Sequence, residues 1–342
     1  MLSDLITPND GVQRVLVAPL NWGLGHATRM IPLIRYCLDL GKQVAIASDG
    51  IALNLLRREF PELESYSLPS YNIKYAKSFT GLKIVLQSPK IVRATRTELS
   101  VTAKIVEHYQ PDLIISDNRF GVRHPTVKSV VVSHQVALIS PIAILTPIAR
   151  IINRKYLNRF DAVWIMDYPD RRLTGNLSNP KGLKNSQSLG VMTRLKPPNV
   201  SVTFQRELLV ILSGPEPQRT LLEEKLFTVL RKLDFTFTIV RGCETPLTSI
   251  WSHEKEKGLI YDLVESDLLN QLINTSQLVI TRTGYTSIMD LDVLQKPAIL
   301  IPTPGQPEQE YLGRHLQQSP LFTILSQANV ERDLEGLIKL KG

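Results

Sequence analysis

The sequence alternates short runs of apolar, β-branched residues with segments long enough for helices, and this alternation limits the possible folds more than any other feature. In the first half the apolar runs lie at residues 15–20, 43–49, 113–117, 129–134 and 162–167. Consecutive apolar positions, rather than alternating ones, are typical of strands buried on both faces of a parallel sheet. The segments between them predict helices over 27–40, 51–60, 91–109 and 142–160.

The same pattern restarts after a polar stretch at residues 168–206, which is rich in Pro, Gly, Asn and Ser. Apolar runs follow at 208–214, 235–240, 258–264, 278–284 and 298–305, with helices predicted over 218–233 and 330–341. Two successive β/α alternations predict two α/β domains, each with a Rossmann-like, doubly wound parallel sheet. The motif KPPN at 196–199 suggests the connection, so we expect domains at 1–195 and 196–342.

The turn after the first predicted strand carries glycines and a histidine. Gly23 and Gly25 permit a positive φ and a close ligand approach, and the helix start that follows offers unpaired N–H groups to an anion. His26 is a candidate general base, because the ordinary pKa of histidine lies near 6.5. The alternative is that His26 only caps the helix. Asp117, at the end of another strand, is a second candidate base, unless it is simply a residue of the strand-end turn.

Two strand ends late in the chain suit a nucleotide sugar. Gly284 lies at a helix start among small hydroxyl residues, where backbone amides can hold phosphate, and Asp290 further along that helix can accept ribose hydroxyls. The following turn ends in Glu308, Gln309 and Glu310, whose oxygens and amide match sugar hydroxyls. The alternative for these three is a solvated first helical turn, where acids are favoured.

The motifs GLGHATR at 23–29, TRTGYTSIMD at 281–290 and PTPGQPEQEYL at 302–312 together resemble those of the GT-B glycosyltransferases of family 28. The resemblance covers nearly the whole chain. It implies two Rossmann-like domains facing a cleft, with the acceptor bound by residues 1–195 and a nucleotide sugar, UDP-linked, by residues 196–342. It implies His26 as the base in a glycine-rich loop that includes Gly23, Gly25 and Arg29. The implied donor-binding residues are Ser213, Gly214, Arg282, Thr283, Gly284, Tyr285, Thr286, Asp290, Glu308, Gln309 and Glu310.

This chain departs from the family pattern at two positions. Asp290 stands where the family has a glutamate for the ribose hydroxyls, and Glu310 stands where it has the second of two glutamines for the donor sugar. The resemblance further implies a single displacement with inversion, without a catalytic metal or cofactor. Two alternatives stay open. Gly23, Gly25, His26 and Arg29 also resemble the Gly-x-Gly-His-x-x-Arg pattern of nucleotide-sugar hydrolases, and a non-catalytic nucleotide-sugar-binding protein would need the same fold.

The first half is basic, with 25 Lys and Arg against 14 Asp and Glu in residues 1–195, whereas residues 196–342 have 15 against 18. Two stretches lack acids altogether, 65–97 and 118–160, and the second contains an apolar run at 136–152. Their basic residues are Lys74, Lys77, Lys83, Lys90, Arg93 and Arg96 in the first stretch, and Arg150, Arg154, Lys155 and Arg159 beside the apolar run. Apolar surface edged by bases suits an anionic membrane and a lipid-linked acceptor. A solvated basic face over a buried helix is the alternative.

Composition argues against other classes of protein. Aromatic residues make up 6% of the chain and no nucleic-acid recognition motif is present, so nucleic acid is not expected as a partner. The two cysteines, Cys37 and Cys243, are far apart in sequence and predict free thiols in a reducing compartment. No signal peptide is recognised at the N-terminus. We therefore expect a cytoplasmic protein, with peripheral attachment to the inner face of the cell membrane as the alternative to a freely diffusing one.

Overall fold

The computed structural model describes residues 2–71, 88–198, 206–214, 216–233, 236–243 and 258–341. The chain divides into two compact units. Among the described residues, the first unit ends at Arg194 and the second begins at Leu195. Each unit contains one parallel sheet with helices in the connections. The predicted two-domain α/β architecture is confirmed.

The first unit contains, in its described residues, a seven-stranded sheet with the strand order β3-β2-β1-β4-β5-β6-β7. Its strands are β1 (Arg14–Pro19), β2 (Gln43–Ser48), β3 (Glu64–Ser67), β4 (Leu113–Asp117), β5 (Lys128–Ser133), β6 (Ala162–Ile165) and β7 (Ser186–Ser188). Its helices are α1 (Leu24–Asp39), α2 (Gly50–Glu59), α3 (Ser88–Tyr109) and α4 (Thr146–Leu157). All paired strands are parallel. The direction of strand progression reverses between β1 and β4.

The central strands of this sheet are buried on both faces, as their unbroken apolar runs predict. All five residues of β4 are buried, and β1, β2 and β5 have five consecutive buried residues each. One apolar cluster includes Leu16, Ala45 and Ile114, and another joins Val131 and Val163 to Leu157 of α4. Because helices cover both faces of a sheet of this kind, we expect a ligand to bind beyond the carboxyl ends of its strands.

The second unit contains, in its described part, a six-stranded parallel sheet with the order β10-β9-β8-β11-β12-β13. Its strands are β8 (Arg206–Ile211), β9 (Phe237–Val240), β10 (Gly258–Tyr261), β11 (Ser276–Thr281), β12 (Ala298–Leu300) and β13 (Phe322–Ile324). Its helices are α5 (Gln218–Leu230), α6 (Ser266–Thr275), α7 (Tyr285–Val293), α8 (Pro307–His315) and α9 (Val330–Lys341). The core is built from β8, β9 and β11 with α5 and α9. Strand progression reverses between β8 and β11.

Three short strands, β3, β7 and β13, were not predicted from the sequence. The polar stretch after residue 167 is not all linker, because β7 pairs with β6 and Leu173, Leu177 and Leu189 are buried. The predicted strand at 298–305 ends at Leu300. Pro302 and Pro304 lack the N–H group that a strand would need to donate there.

Candidate active site

The carboxyl edge of the first sheet brings together side chains from β1, β4 and β5. Pro19 and Asp117 are paired at the ends of β1 and β4, and the Leu20 N–H donates to the Asp117 carbonyl over 3.1 Å. The chain then turns at Gly23, whose φ of 85° is a value that residues other than glycine rarely adopt, and enters α1. Gly25 already lies in the first turn of α1. This turn brings His26 to the end of β4.

His26, Asp117 and Arg29 form one hydrogen-bonded cluster. The Nδ1 atom of His26 lies 3.0 Å from Asp117 Oδ2 and 2.7 Å from Arg29 Nη2. Arg29 Nε donates to Asp117 Oδ2 over 2.8 Å, and Arg29 Nη2 donates to Asp117 Oδ1. Asp117 is fully buried, whereas the side chain of His26 is 16% exposed. The ring of His26 therefore contacts Asp117 and Arg29, not the amides at the start of its own helix, and the capping alternative does not fit this geometry.

A second histidine joins the cluster from the next strand. His134 directly follows β5, is 6% exposed, and its Nδ1 lies 3.0 Å from Arg29 Nη1. His134 was not predicted as a site residue, although it follows a buried strand just as Asp117 ends one. Arg29 thus connects the ends of β4 and β5 to α1.

The charges in this cluster shift two pKa values. Burial by itself would raise the pKa of Asp117, but the adjoining Arg29 guanidinium and His26 hold it well below its usual range. Burial lowers the pKa of His26, and Arg29 lowers it further, against the opposing effect of Asp117. At neutral pH the cluster therefore holds an ionised carboxylate, a guanidinium and a neutral His26.

A buried ion cluster supports the same sheet edge from the β2 side. Arg119 is fully buried and donates through Nε to Glu98 over 2.8 Å, and through Nη1 to Asp49 over 2.7 Å. Its Nη2 donates to the Pro69 carbonyl over 2.7 Å. This cluster was not predicted from the sequence. Its members come from the ends of β2 and β4 and from α3, so it holds these elements together next to Asp117. It does not itself resemble a ligand site.

The second sheet has the matching feature at β8 and β11. Ile211 and Thr281 are paired at the strand ends, and Thr281 Oγ1 donates to the Ile211 carbonyl over 2.9 Å. Ser213 and Gly214 follow β8, with Gly214 exposed at φ 102°. Gly284 lies just before α7, and a Cβ atom built there meets no atom within 4 Å. Each of the two strands at which the strand order reverses is therefore followed by a glycine whose backbone a ligand can approach.

Arg282 and Thr283, predicted to contact a diphosphate, are 1% and 0% exposed. Arg282 Nη1 donates to Gln327 Oε1 and Nη2 to the Gln218 carbonyl, each over 2.6 Å. Desolvation lowers the pKa of Arg282 to about 10. The guanidinium thus joins the end of β11 to the start of α5.

The remaining predicted donor residues lie on α7 and α8. Tyr285 is buried in the first turn of α7, and Thr286 and Asp290 are partly buried on the same helix. On α8, Glu308 is partly buried, and Gln309 and Glu310 stabilise the preceding turn. Gln309 Oε1 accepts from the Thr303 N–H over 2.9 Å, and Glu310 Oε1 from the Gly305 N–H over 2.7 Å.

Other predictions concern charge and metals. Lys90, Arg93 and Arg96 are exposed on α3, and Lys74, Lys77 and Lys83 lie outside the described residues.

Across the part of the chain that the structure describes, no group of three or more His, Cys, Asp or Glu side chains could hold a metal ion. Within that same part, no helix combines the length and the apolar character needed to cross a membrane.

Comparison with known proteins identifies relatives among the glycosyltransferases. Residues 218–339 match the glycosyltransferase family 28 C-terminal domain. The chain is 31% identical over 97 residues to the UDP-N-acetylglucosamine–N-acetylmuramyl-(pentapeptide) pyrophosphoryl-undecaprenol N-acetylglucosamine transferase of Wolbachia pipientis, a match that covers 27% of this chain and 28% of that protein. It is 23% identical to the Clostridium tetani enzyme of the same name over 288 residues, which cover 81% of this chain and 75% of the relative.

Solved structures show the same fold over almost the full length. The spinosyn rhamnosyltransferase SpnG, complexed with thymidine diphosphate, superposes with a TM-score of 0.65 at 14% identity, covering 96% of this chain and 92% of that one. At this identity the likeness concerns the fold. It agrees with two parallel-sheet units whose strand orders each reverse once.

Proposed function

Because the chain is a family 28-like glycosyltransferase of the GT-B fold, we propose that it transfers a sugar from a UDP-sugar to the hydroxyl of a lipid-linked acceptor, with inversion at the anomeric carbon. The observation that carries this proposal is the pairing of His26 with Asp117 at the reversal point of the first sheet. Ligands of doubly wound sheets bind at such points.

His26 is the general base in this mechanism. Its Nδ1 lies near both Asp117 and Arg29, so the ring can either donate to the carboxylate or accept from the guanidinium. We assign the proton to Nδ1, which then donates to Asp117 Oδ2 in a charge-assisted bond, while Arg29 Nη2 donates to the other carboxylate oxygen, Oδ1. The Nε2 lone pair then accepts the proton of the acceptor hydroxyl while its oxygen attacks the anomeric carbon.

Asp117 acts through His26 in this mechanism. The sequence offers it as a second base, but its side chain is fully buried and two of its contacts go to Arg29. A carboxylate that cannot reach a substrate can still select the tautomer of an imidazole and stabilise the imidazolium that forms. Asp117 is therefore a positioning residue, and Arg29 fixes it in turn.

The second unit binds the donor. As the bond between the anomeric carbon and the phosphate oxygen breaks, its electron pair passes to the departing diphosphate. Amides at Ser213, Gly214 and Gly284–Thr286, with the positive end of α7 and the buried charge of Arg282, stabilise that negative charge without a catalytic metal. Asp290 accepts the ribose hydroxyls. Glu308, Gln309 and Glu310 lie on the helix that would face the sugar.

The names of the relatives support the finer parts of the proposal. The Wolbachia and Clostridium enzymes are named for a UDP-N-acetylglucosamine donor and a pyrophosphoryl-undecaprenol acceptor. An acceptor of that kind lies in a bilayer, so we propose a cytoplasmic protein that is peripheral at the inner face of the cell membrane. Its partners are then the nucleotide sugar, the lipid-linked acceptor and the membrane surface.

A nucleotide-sugar hydrolase is the second candidate. It is favoured by one observation, because Arg29 of the Gly-x-Gly-His-x-x-Arg pattern contacts both His26 and Asp117. In that reaction water takes the place of the acceptor hydroxyl, and the same base accepts its proton.

One assay separates the two reactions. The protein is incubated with a panel of UDP- and TDP-sugars, with and without a polyprenyl pyrophosphoryl saccharide, and nucleoside diphosphate release is followed. A transferase releases it in step with acceptor glycosylation, whereas stoichiometric release without acceptor indicates a hydrolase. No release from any donor under either condition would contradict both.

A further inference from the structure

An exposed tryptophan lies in the turn that leads to His26. Trp22 is 42% exposed, whereas Trp164, in β6, is 2% exposed. Trp22 directly precedes Gly23, so it lies four positions before His26 and at the carboxyl edge of the first sheet. More than half of this residue is covered, and the rest of its surface is open to a ligand. Ligand sites are typically lined by apolar and aromatic side chains, with a few polar groups among them.

The position of Trp22 is set by the residue before it. Asn21 Nδ2 donates to Asp49 Oδ2 over 3.1 Å, and Asn21 Oδ1 accepts from the Ala52 N–H over 3.3 Å. These bonds connect the turn after β1 to the start of α2. Gly50 has a φ of 51°, and a Cβ atom there would collide with Asn21 Nδ2, so this contact needs glycine. The backbone before Trp22 is therefore held in place, which lowers the entropy cost of binding a ligand against it.

An amide side chain lies on the other side of His26. Asn118 directly follows β4 and has a φ of 58°, in the left-handed region that few residues other than glycine adopt. Such conformations are concentrated at functional sites. Asn118 Nδ2 donates to Asp117 Oδ1 over 3.3 Å, whereas His26 contacts Oδ2 of the same carboxylate. Because a carboxylate only accepts, this bond turns Asn118 Oδ1 away from Asp117. Within the described part of the chain, nothing donates to that oxygen.

Trp22 and Asn118 flank the same imidazole. The turns after β1 and β4 adjoin, because the Leu20 N–H donates to the Asp117 carbonyl over 3.1 Å. Trp22 is two positions after Leu20, and Asn118 is one position after Asp117. A flat apolar surface and an amide oxygen thus lie at the strand ends that hold His26. A pyranose ring has C–H groups on its face and hydroxyls around its rim, so it matches both, whereas an isoprenoid chain would leave the amide oxygen unpaired.

We propose that Trp22 and Asn118 form a saccharide subsite for the acceptor, in which a pyranose ring stacks on the indole of Trp22 and one of its hydroxyls donates to Asn118 Oδ1. The delivery of another ring hydroxyl to His26 Nε2 rests on the proposed function, whereas binding of the saccharide requires no transfer reaction. Both residues contact the ring before and during attack, so their loss should raise the KM for acceptor far more than it lowers kcat.

Binding without turnover tests the stacking. Isothermal titration gives the affinity for farnesyl pyrophosphate and for its conjugates with glucose, galactose, N-acetylglucosamine and N-acetylmuramyl pentapeptide. The wild type should bind at least one conjugate about tenfold or more tightly than farnesyl pyrophosphate itself. Trp22→Ala should lose most of this preference, while its affinity for farnesyl pyrophosphate stays within about twofold of wild type. Trp22→Phe keeps an aromatic face and should retain most of the preference.

Leu259→Ala is the matched control for Trp22→Ala. Leu259 is also 42% exposed, but it lies in β10 of the second unit. This variant should bind farnesyl pyrophosphate and every conjugate as the wild type does. Thermal unfolding checks that each variant is folded. Trp22→Leu, which keeps apolar volume without an aromatic face, takes the place of the alanine variant if that one does not fold, and the same loss of preference is expected.

Asn118→Gly tests the amide oxygen. Glycine adopts a φ of 58° without steric cost, so the substitution removes the side chain and should preserve the turn. We expect the preferred conjugate to bind at least about fivefold more weakly, because one ring hydroxyl loses its partner. The control is Gln110→Gly, at an exposed residue with a φ of 52° just after α3, and it should leave the affinity unchanged. Wild-type affinity in Asn118→Gly would remove Asn118 from the subsite.

Three other results would overturn the subsite: no conjugate preferred by the wild type, an undiminished preference in Trp22→Ala, or an equal loss of affinity for farnesyl pyrophosphate and its conjugates, which would assign Trp22 to the isoprenoid chain. Assays of turnover separate this inference from the proposed function. A chain that shows the saccharide preference but releases no nucleotide from any donor defeats only the proposed reaction. A chain that transfers sugar with an unchanged acceptor KM in Trp22→Ala defeats only the subsite.

Discussion

The Nδ1 atom of His26 lies 3.0 Å from Oδ2 of Asp117, although 91 positions separate the two residues in the chain. The sheet topology produces this contact, because β1 and β4 are neighbours and both end at the point where the strand order reverses. Arg29, one helical turn after His26, holds the carboxylate from the other side. The pair thus consists of a buried carboxylate that orients a partly exposed imidazole, and this arrangement predicts effects on turnover, on pH dependence and on stability.

Removing the imidazole should abolish most of the activity. In His26→Ala we expect turnover to fall by roughly 10²–10⁴-fold, the usual contribution of a general base. Folding should be affected little, since the side chain of His26 is partly exposed and Arg29 still pairs with Asp117. The measurement is kcat with saturating donor and acceptor. His108→Ala, at a histidine 73% exposed beside Glu64, is the matched control and should leave kcat unchanged. A loss below tenfold in His26→Ala would leave His26 a positioning role at most.

The pH profile of kcat/KM should fall on the acid side through a group with a pKa below about 6.5, the ordinary value for histidine. The direction follows from burial and from Arg29, which both disfavour the imidazolium in the folded protein. The same sign applies to stability. Because the folded-state pKa is the lower one, this contribution to folding is complete above about 6.5 and is lost as the pH falls through the folded value. An acid limb centred above 6.5 would contradict the assignment.

Arg29→Met should cost about 3–5 kcal/mol of stability, because it leaves the buried Asp117 without its main counter-charge. It should also move the acid limb of the rate profile to higher pH, since only burial, and no longer the Arg29 charge, then opposes the effect of Asp117 on the pKa of His26. Denaturant unfolding and the pH profile report the two effects. The control is Arg35→Met at the more exposed Arg35–Glu59 pair, which should cost less than about 1 kcal/mol. Similar costs for the two variants would show that the carboxylate does not depend on Arg29.

Much of the fold could be predicted because its central strands are buried on both faces. Continuous apolar runs identify β1, β2, β4 and β5 to within one residue at each end, since such runs suit little else. The edge strands β3 and β7 were missed because they are short, polar and only partly buried. Their strand character comes from pairing with β2 and β6, which no local pattern records.

The candidate site was predictable in its members but not in its connections. The sequence selected His26 and Arg29 within one motif and Asp117 separately, and only the order of the strands brings Asp117 to the other two. His134 was not predicted, because its place in the cluster depends on a contact with Arg29 at the end of β5. In the second unit, the burial of Arg282 could not be read from its motif, because it depends on Gln327, a residue far along the chain.

Gly284 offers the sharpest test of the donor site. Its φ of −77° and ψ of 136° suit any residue, and a Cβ atom there meets no atom within 4 Å, so Gly284→Ala should cost less than about 1 kcal/mol of stability. If a diphosphate lies against this backbone, however, the same methyl group occupies its place. We therefore expect donor affinity, measured by isothermal titration with a UDP-sugar, to fall at least about tenfold, which corresponds to about 1.4 kcal/mol.

Gly336→Ala is the matched control for this experiment. Gly336 lies in α9, a Cβ atom there also meets nothing within 4 Å, and alanine should stabilise the helix by roughly 0.5–1 kcal/mol without altering donor binding. Wild-type affinity in Gly284→Ala would mean that the diphosphate does not approach this turn. In that case the amides after β11 could not stabilise the leaving group, and the phosphate site would have to be sought on the β8 side, where Gly214 is exposed.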